Sequence, residues 1–166
     1  MFILTFAVIG LSVFFYLSFK LKKRELKFLV YWVIIPLLIG TLIYLLFRPL
    51  SIRLFNVFNE NQLNLIIQLR TNLGVSSSDF PVWFTNSLPD GLWLFSFTNI
   101  LSLIWINRNG MVKNIFLLVP ILIGLIHELI QFFNVNYGTF DIIDVFTYLI
   151  FYLFSCVLIK IIKLET

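Results

Sequence analysis

Charged residues are scarce in this sequence: Asp, Glu, Lys and Arg make up only 12% of its 166 residues, whereas apolar residues make up 60%. An ordinary soluble domain carries about 25% charged residues. The charges are too few to cover a surface that faces water, and the mean hydropathy of +1.00 agrees with this. The composition therefore excludes a typical soluble domain and indicates that lipid is the main solvent of the chain.

Histidine and cysteine are also nearly missing, with one residue of each. The cysteine lies within an apolar run, so the chain has no disulfide framework. His127 opens the sequence HELIQ, which is similar to the zinc-binding HExxH pattern except that Gln131 replaces the second histidine. We therefore predict no metal site and no cofactor. A hard divalent cation stays open as an alternative, held by oxygen ligands from Glu128, Asp141 or Asp144.

Sequence patterns of common soluble functions are absent as well. There is no glycine-rich phosphate loop, no nucleophile elbow and no Cys–His pair. The net charge of +4 comes from Lys and Arg residues that lie between apolar runs, which is the pattern of membrane topology signals. We therefore predict no nucleic-acid partner.

Long apolar runs are the dominant feature that is present. Five of them, each of 18–20 residues, extend over residues 2–19, 28–47, 88–106, 115–133 and 142–159. A helix of about 20 residues crosses a hydrocarbon core of about 30 Å. The sequence thus predicts an all-α polytopic transmembrane bundle, with residues 1–166 forming one membrane domain.

Positive charge is divided unevenly between the two sides of this bundle. Nine of the twelve Lys and Arg residues lie in the first connection, in the connection 107–113 and after the last run. The positive-inside rule places these segments in the cytoplasm. We expect the N-terminus outside and the C-terminus inside, which agrees with an odd number of spans.

Residues 48–87 form the one sizeable segment outside the predicted spans. Its first half mixes apolar residues with Asn, Gln and Arg, which favours one or two amphipathic helices on the outer leaflet. A loosely ordered external loop is the alternative. The stretch VSSSDFPVWF is typical of a loop, with Trp83 and Phe84 at the depth of the lipid headgroups.

Four acidic residues fall at the outer ends of the last three predicted spans: Asp90, Glu128, Asp141 and Asp144. Ionisable groups are costly in a membrane, so this gathering favours a functional site. Helix capping is the alternative for three of them. Ser87 and Asp90 have the spacing of a capping box, and Asp141 with Asp144 resembles an N-cap followed by an acid in the first turn.

Glu128 does not fit the capping alternative. It lies five residues before the end of its predicted span, where the helix dipole disfavours a carboxylate and the surroundings are apolar. Gly124, Glu128 and Gln131 share one helix face, and the glycine permits a close helix neighbour. A face on the next span carries Asp141, Asp144 and Tyr148. We expect the two faces to meet, and a purely structural hydrogen bond between helices is the alternative to a functional role.

The same residues resemble the signature of the VanZ-like family of membrane proteins. That family has an E-x-x-Q pair near the end of one span and D-x-x-D at the start of the next. The matching residues are Glu128, Gln131, Asp141 and Asp144. The sequence SLPDGLW, with Asp90 and Trp93, is similar to an earlier polar span start of the family. The resemblance covers residues 88–159.

The chain departs from the family pattern at three places. Gly138 and Thr139 stand where the family often has a basic residue, Tyr148 stands where it usually has Asn, and Phe151 where it often has Gly. The founding member is associated with resistance to the glycopeptide teicoplanin, and relatives occur in bacterial envelopes. The resemblance therefore implies a multi-pass protein of the bacterial cytoplasmic membrane.

We predict that the acidic residues line an outward-facing cavity that binds or modifies a lipid headgroup, an envelope precursor or a glycopeptide-type amphiphile. The primary candidates are Asp90, Glu128, Gln131, Asp141 and Asp144, and the secondary candidates are His127, Trp93, Tyr148, Arg48 and Arg53. The two arginines would contact a phosphate if they fold back over the cavity. Membrane lipids, and a precursor ligand or a partner membrane protein, are the expected partners. A non-catalytic accessory subunit of a larger envelope complex and a membrane enzyme with paired carboxylates are the alternatives.

Overall fold

The computed structural model describes residues 22–105, 110–133 and 138–164. All regular structure in these ranges is helical, and they contain no β-strand, so the predicted all-α class is confirmed for them. The predicted first span, residues 2–19, lies outside the described residues.

Four helices in the described ranges have the length of a membrane span: α1 (Lys23–Phe47), α3 (Val82–Ile104), α4 (Met111–Phe133) and α5 (Ile142–Leu164). Each of the last three has 23 residues, which corresponds to about 34 Å. Three helices, namely α1, α4 and α5 up to Ile161, are also apolar enough to cross a membrane. The connecting segment between α1 and α3, residues 48–81, contains the 3₁₀ turns Arg53–Val57 and Ser77–Asp79 and the helix α2 (Glu60–Leu73).

The most polar of the four long helices, α3, is also the central one, since it packs against α1, α4 and α5. Four of its buried hydroxyl groups donate to carbonyls of their own helix, as Thr98 does to Leu94 O at 2.9 Å. A Cβ atom at Gly91 would overlap the side chains of Thr147 and Phe151, so the glycine allows α5 to approach closely. Neighbouring helices therefore shield α3, which explains how a helix of modest hydropathy occupies the centre of the bundle.

The helix α1 contains a π-helical turn, Val30–Ile34, directly before Pro36. Proline has no N–H group, so a carbonyl on the preceding turn loses its usual helical donor. The Trp32 carbonyl, four residues before the proline, instead accepts a hydrogen bond of 3.2 Å from Asn99 Nδ2 of α3. A polar side chain of the central helix thus satisfies the backbone at this irregularity.

The outward faces of the other long helices are strongly apolar. Leu38 on α1, Ile123 on α4 and Ile150 on α5 are 61%, 56% and 63% exposed, respectively. Contiguous apolar surface of this extent is unfavourable in water and is the normal state of a helix in lipid. The chain is therefore a membrane protein.

The connecting segment is tied to the end of α1. Ile66 of α2 is buried against Tyr44 and Phe55. Arg70 donates from Nε to Leu45 O at 2.9 Å and from Nη2 to Arg48 O at 2.7 Å, and burial lowers the pKa of its guanidinium. These bonds satisfy carbonyls that the C-terminus of α1 leaves without helical donors. A helix was predicted in this segment, and its place on the outer leaflet stays a prediction.

Several helix boundaries differ from those of the predicted spans, most clearly the start of α3. The predicted span opened at residue 88, but the helix begins at Val82, so Trp83 lies in its first turn and not in a loop. Pro89 and its polar neighbours resemble a helix start in the sequence, although Ser87 and Pro89 are buried inside the bundle. The capping alternative for Asp90, based on the spacing of Ser87 and Asp90, is therefore wrong, and the connecting segment ends before Val82.

The other long helices extend beyond the apolar runs that predicted them. The helix α1 begins at Lys23 instead of residue 28, α4 begins at Met111 instead of residue 115, and α5 continues to Leu164 instead of residue 159. Lys and Arg side chains at a helix end can reach the headgroups while their backbone stays helical. Apolar runs therefore mark the hydrocarbon-facing part of a helix and underestimate its length.

Candidate functional site

A cavity of about 630 Å³ lies at the end of the bundle where α1 and α4 end and α5 begins. All five primary candidates line it: Asp90, Glu128, Gln131, Asp141 and Asp144. Four secondary candidates line it as well: Arg48, Trp93, His127 and Tyr148. Arg53 opens a 3₁₀ turn, and its side chain lies outside the described part of the structure. Residues predicted from three separate spans thus meet in one space, which we name the acidic cavity.

Glu128 is the most buried of the acids that line the cavity, with a side chain that is only 2% exposed. Its Oε2 accepts a hydrogen bond of 3.4 Å from the backbone N–H of Asp141, just before α5 begins. The partial positive charge of that helix N-terminus favours a nearby carboxylate. The structural alternative for Glu128, a hydrogen bond between helices, is therefore present in the molecule, and a ligand role has to be tested separately.

The predicted meeting of the α4 and α5 faces is confirmed by their packing at Gly124. A Cβ atom at this position would lie 3.1 Å from the Tyr148 ring and 3.3 Å from Leu94, so glycine allows the close approach. Tyr148 is buried at this contact. The short distance between the two helices brings Glu128 and Gln131 to the same cavity as Asp141 and Asp144.

The acids on α5 have different surroundings. Asp141 Oδ1 accepts a hydrogen bond of 2.8 Å from the N–H of Ile143, so Asp141 caps α5, as the capping alternative predicts. Asp144 lies in the first turn of the helix, beside the fully buried Ser87 of α3. Capping therefore occupies one oxygen of Asp141, whereas Asp144 lines the cavity from within the helix.

Asp90 pairs with Arg48, a contact that the sequence did not predict. Arg48 Nη2 donates to Asp90 Oδ2 at 3.1 Å and to the Asn86 carbonyl at 2.9 Å. The Arg48 guanidinium also lies 5.4 Å from the centre of the Tyr44 ring. Arg48 and Asp90 side chains are 19% and 23% exposed, so the pair borders the cavity without being sealed from it.

Charges around the cavity do not balance. Among the described residues, four carboxyl groups and one guanidinium line it, and that guanidinium is already bonded to one of the carboxyl groups. His127, which is 57% exposed, lies 3.8 Å from Glu128 Oε1 and contacts the Gln131 amide at 3.0 Å. An excess of carboxylates in a partly enclosed space attracts a cationic group.

The described part of the chain contains no group of three or more His, Cys, Asp or Glu side chains that could hold a metal ion. In the HELIQ sequence, the Gln131 amide contacts His127 Nδ1, and both side chains belong to one helix. This contact joins neighbouring turns of α4 at an i, i+4 spacing. The polar groups of the described residues that line the cavity are carboxyl, guanidinium, imidazole, amide, phenol, indole and hydroxyl groups.

Five further residues that were not predicted as site residues also line the cavity: Tyr44, Ile52, Asn86, Gly138 and Thr139. Tyr44 precedes Arg48 by four residues and Asn86 precedes Asp90 by four, so each shares a helix face with a predicted site residue. Counting four residues back from Arg48 and from Asp90 would have identified Tyr44 and Asn86. Ile52 lies outside a helix, and no periodic signal identifies it.

Gly138 gives a physical reason for one departure from the VanZ-like pattern. Its φ angle of +136° is one that residues with a side chain rarely adopt, and a Cβ atom there would lie 3.0 Å from the Gln131 amide. A basic side chain at this position would need a different local backbone. The cavity therefore lacks at this point the positive charge that the family often has.

Fold and cavity together define a class: a helical membrane protein with an acidic cavity at one end of its bundle. No family model, no curated protein and no solved structure matches the chain. The VanZ-like resemblance of residues 88–159 therefore stays a prediction.

Proposed function

We propose that this chain is a multi-pass protein of the bacterial cytoplasmic membrane whose acidic cavity binds the amine-bearing headgroup of an amphiphile. The observation that carries the proposal is the charge of the cavity, where four carboxyl groups from three helices surround about 630 Å³ of space. Among the described residues the only guanidinium that lines this space is bonded to Asp90. A headgroup with a protonated amine would supply the missing positive charge.

The proposed topology has five spans, with the N-terminus outside, the C-terminus inside and the acidic cavity facing outward. Support comes from the basic residues of the described helices, most of which lie at the end opposite to the cavity: Lys22, Lys23, Arg24, Lys27, Lys113 and Lys160. Only Arg48 and Arg70 belong to the cavity end among described side chains. The positive-inside rule then assigns the cavity to the outer leaflet.

The candidate ligands carry groups that are complementary to this site. A lipid headgroup, an envelope precursor and a glycopeptide-type amphiphile can each carry an amine beside apolar chains. A phosphate on the same headgroup would lie against Arg48, whose guanidinium borders the cavity. A membership in the VanZ-like family is part of this proposal, and it rests on the matching residues Glu128, Gln131, Asp141 and Asp144.

Native mass spectrometry of the gently solubilised protein tests the proposal. The wild-type chain is expected to retain an amine-bearing amphiphile, and Asp144→Asn and Glu128→Gln are expected to lose it. The matched control is Asp79→Asn, which removes the same charge from an exposed acid outside the cavity. Equal ligand content in all four proteins would contradict the proposal. A stoichiometric protein partner retained in all four, without any amphiphile, would instead favour the accessory-subunit alternative.

A further inference from the structure

An apolar groove of about 320 Å³ lies between α3 and α4, next to the acidic cavity. Leu94 and Phe97 of α3 and Pro120, Ile123 and Gly124 of α4 form its walls. Phe97 is 41% exposed and Ile123 is 56% exposed, so the groove opens onto the apolar outer surface of the bundle. Gly124 has no side chain to fill it.

The groove and the acidic cavity are adjacent. Asp90, Trp93, His127 and Tyr148 line both of them. Along α3 the groove extends from Asp90 to Phe97, which is about 10 Å at 1.5 Å per residue. On the antiparallel α4, the interval of seven positions from His127 back to Pro120 covers the same length. An alkyl chain attached to a headgroup in the cavity would therefore lie next to the groove.

We propose that the groove holds the alkyl chain of the amphiphile whose headgroup occupies the acidic cavity, and that ligands enter sideways from the lipid through it. This inference rests on the proposed function for the identity of the headgroup. An apolar passage that begins among carboxyl groups and opens toward lipid matches one occupant, a molecule with a cationic head and an apolar tail. A soluble cation would occupy only the acidic cavity, and a hydrocarbon would occupy only the groove.

The experiment compares two probes on the purified full chain in a non-ionic amphipathic polymer that contains no lipid. The first, n-dodecylammonium, has both head and chain, and the second, n-butylammonium, has the head with only a short chain. Binding is measured by isothermal titration calorimetry, with the empty polymer as the blank. The wild-type protein is expected to bind the long probe about tenfold or more tighter, since burial of two methylene groups already corresponds to about tenfold in affinity.

Two variants of α4 test the groove itself. In Ile123→Trp the larger indole side chain fills the groove. In Ile126→Trp the same side chain stands at a position that lines neither the groove nor the acidic cavity. The pair is matched because the two isoleucines are 56% and 53% exposed. We expect Ile123→Trp to abolish the tighter binding of the long probe and leave butylammonium binding unchanged. The variant Ile126→Trp is expected to behave as wild type with both probes.

The outcomes separate the groove from the headgroup site. Equal behaviour of Ile123→Trp and Ile126→Trp, or equal affinity of wild type for both probes, would overturn the groove proposal. Loss of long-probe binding in Ile123→Trp but not in Asp144→Asn would keep the groove and overturn the cationic headgroup site. If neither probe binds to wild type, both proposals are wrong.

Discussion

At the scale of single residues, the acids of the cavity differ in what each already does for the fold. Asp141 caps α5 through the N–H of Ile143, and Glu128 accepts from the N–H of Asp141. Asp90 is paired with Arg48. Substitution of these residues therefore changes the free energy of unfolding as well as any ligand binding.

Asp141→Ala is expected to lower the free energy of unfolding by about 1 kcal/mol, because the N–H of Ile143 loses its capping acceptor. Asp141→Asn keeps a side-chain oxygen at the same position and should cost much less. Equilibrium unfolding in mild detergent measures both. Equal destabilisation by the two substitutions would mean that the charge of Asp141, and not its capping bond, stabilises the protein.

Arg48→Gln and Asp90→Asn form a double-mutant cycle for the ion pair at the cavity edge. We expect a coupling free energy of about 1 kcal/mol, since the pair is partly open to solvent and therefore partly screened. The cycle also separates the bond to Asp90 from the one that Arg48 donates to the Asn86 carbonyl. Arg48→Gln combined with Asp79→Asn is the control and should show no coupling. A coupling of zero in the test cycle would mean that Arg48 is free to serve a ligand.

At the scale of helices, α2 and α1 are joined mainly through Arg70. Its guanidinium donates to the carbonyls of Leu45 and Arg48, which lie at the end of α1 and have no helical donors. Arg48 in turn contacts Asp90 on α3. The end of α1 is thus held between a surface helix and the central helix, so the order of this turn determines the shape of the cavity edge.

Arg70→Ala is expected to lower the free energy of local opening of the last turn of α1 by about 1–2 kcal/mol, because two carbonyls lose a charged donor. The amide of Arg48, which donates to Tyr44 O at 3.1 Å, should then exchange its hydrogen about 5–30 times faster. Hydrogen exchange of α1 measures this effect. Gln68→Ala, an exposed position on the same helix, is the control. Unchanged exchange at Arg48 in Arg70→Ala would contradict the anchoring role.

Contacts between residues that are close in the sequence were predictable, whereas contacts between distant residues were not. The faces that carry Glu128 with Gln131, and Asp141 with Tyr148, depend only on helix periodicity and a short connection, so their meeting was predictable. The Arg48–Asp90 pair joins residues 42 positions apart, and the Arg70 bonds to Leu45 join residues 25 apart. Both depend on how the connecting segment folds back, for which the sequence has no periodic signal.

The start of α3 was not predictable for a different reason. Local sequence rules treat Pro89 and its polar neighbours as a helix boundary, since proline removes a donor and crowds the preceding turn. Inside the bundle, however, Ser87 and Pro89 are buried against other helices. Tertiary packing therefore overrides the local preference, and the acid at position 90 lies within a helix instead of at its cap.

At the scale of the whole molecule, the helices separate two kinds of surface. Apolar side chains cover the outside of α1, α4 and α5, whereas the acidic cavity occupies one end of the bundle around α3. Carboxyl groups near the membrane are costly unless water, partners or a ligand reach them. A cavity at the end of the bundle meets this requirement because it can open to water on one side and to lipid through the groove on the other.

The transmembrane topology determines which side of the membrane the acidic cavity faces. The four long helices of the described ranges return the chain to the side from which it starts, so residues 22 and 164 lie at the same end of the bundle. A further span over residues 2–19 would then place the N-terminus on the opposite side, together with the acidic cavity. The side of the N-terminus therefore distinguishes five spans from four.

Cysteine labelling in intact spheroplasts tests this topology in a Cys156→Ser background, which removes the only native thiol. We expect Gln68→Cys, exposed on α2, to react with a membrane-impermeant maleimide, and Asn114→Cys, exposed at the start of α4, to react only after permeabilisation. A cysteine tag placed before Met1 should react from outside, because an odd number of spans separates it from Lys22. Protection of this tag while Gln68→Cys reacts would leave an even number of spans. Reaction of Asn114→Cys alone from outside would invert the orientation and turn the acidic cavity toward the cytoplasm.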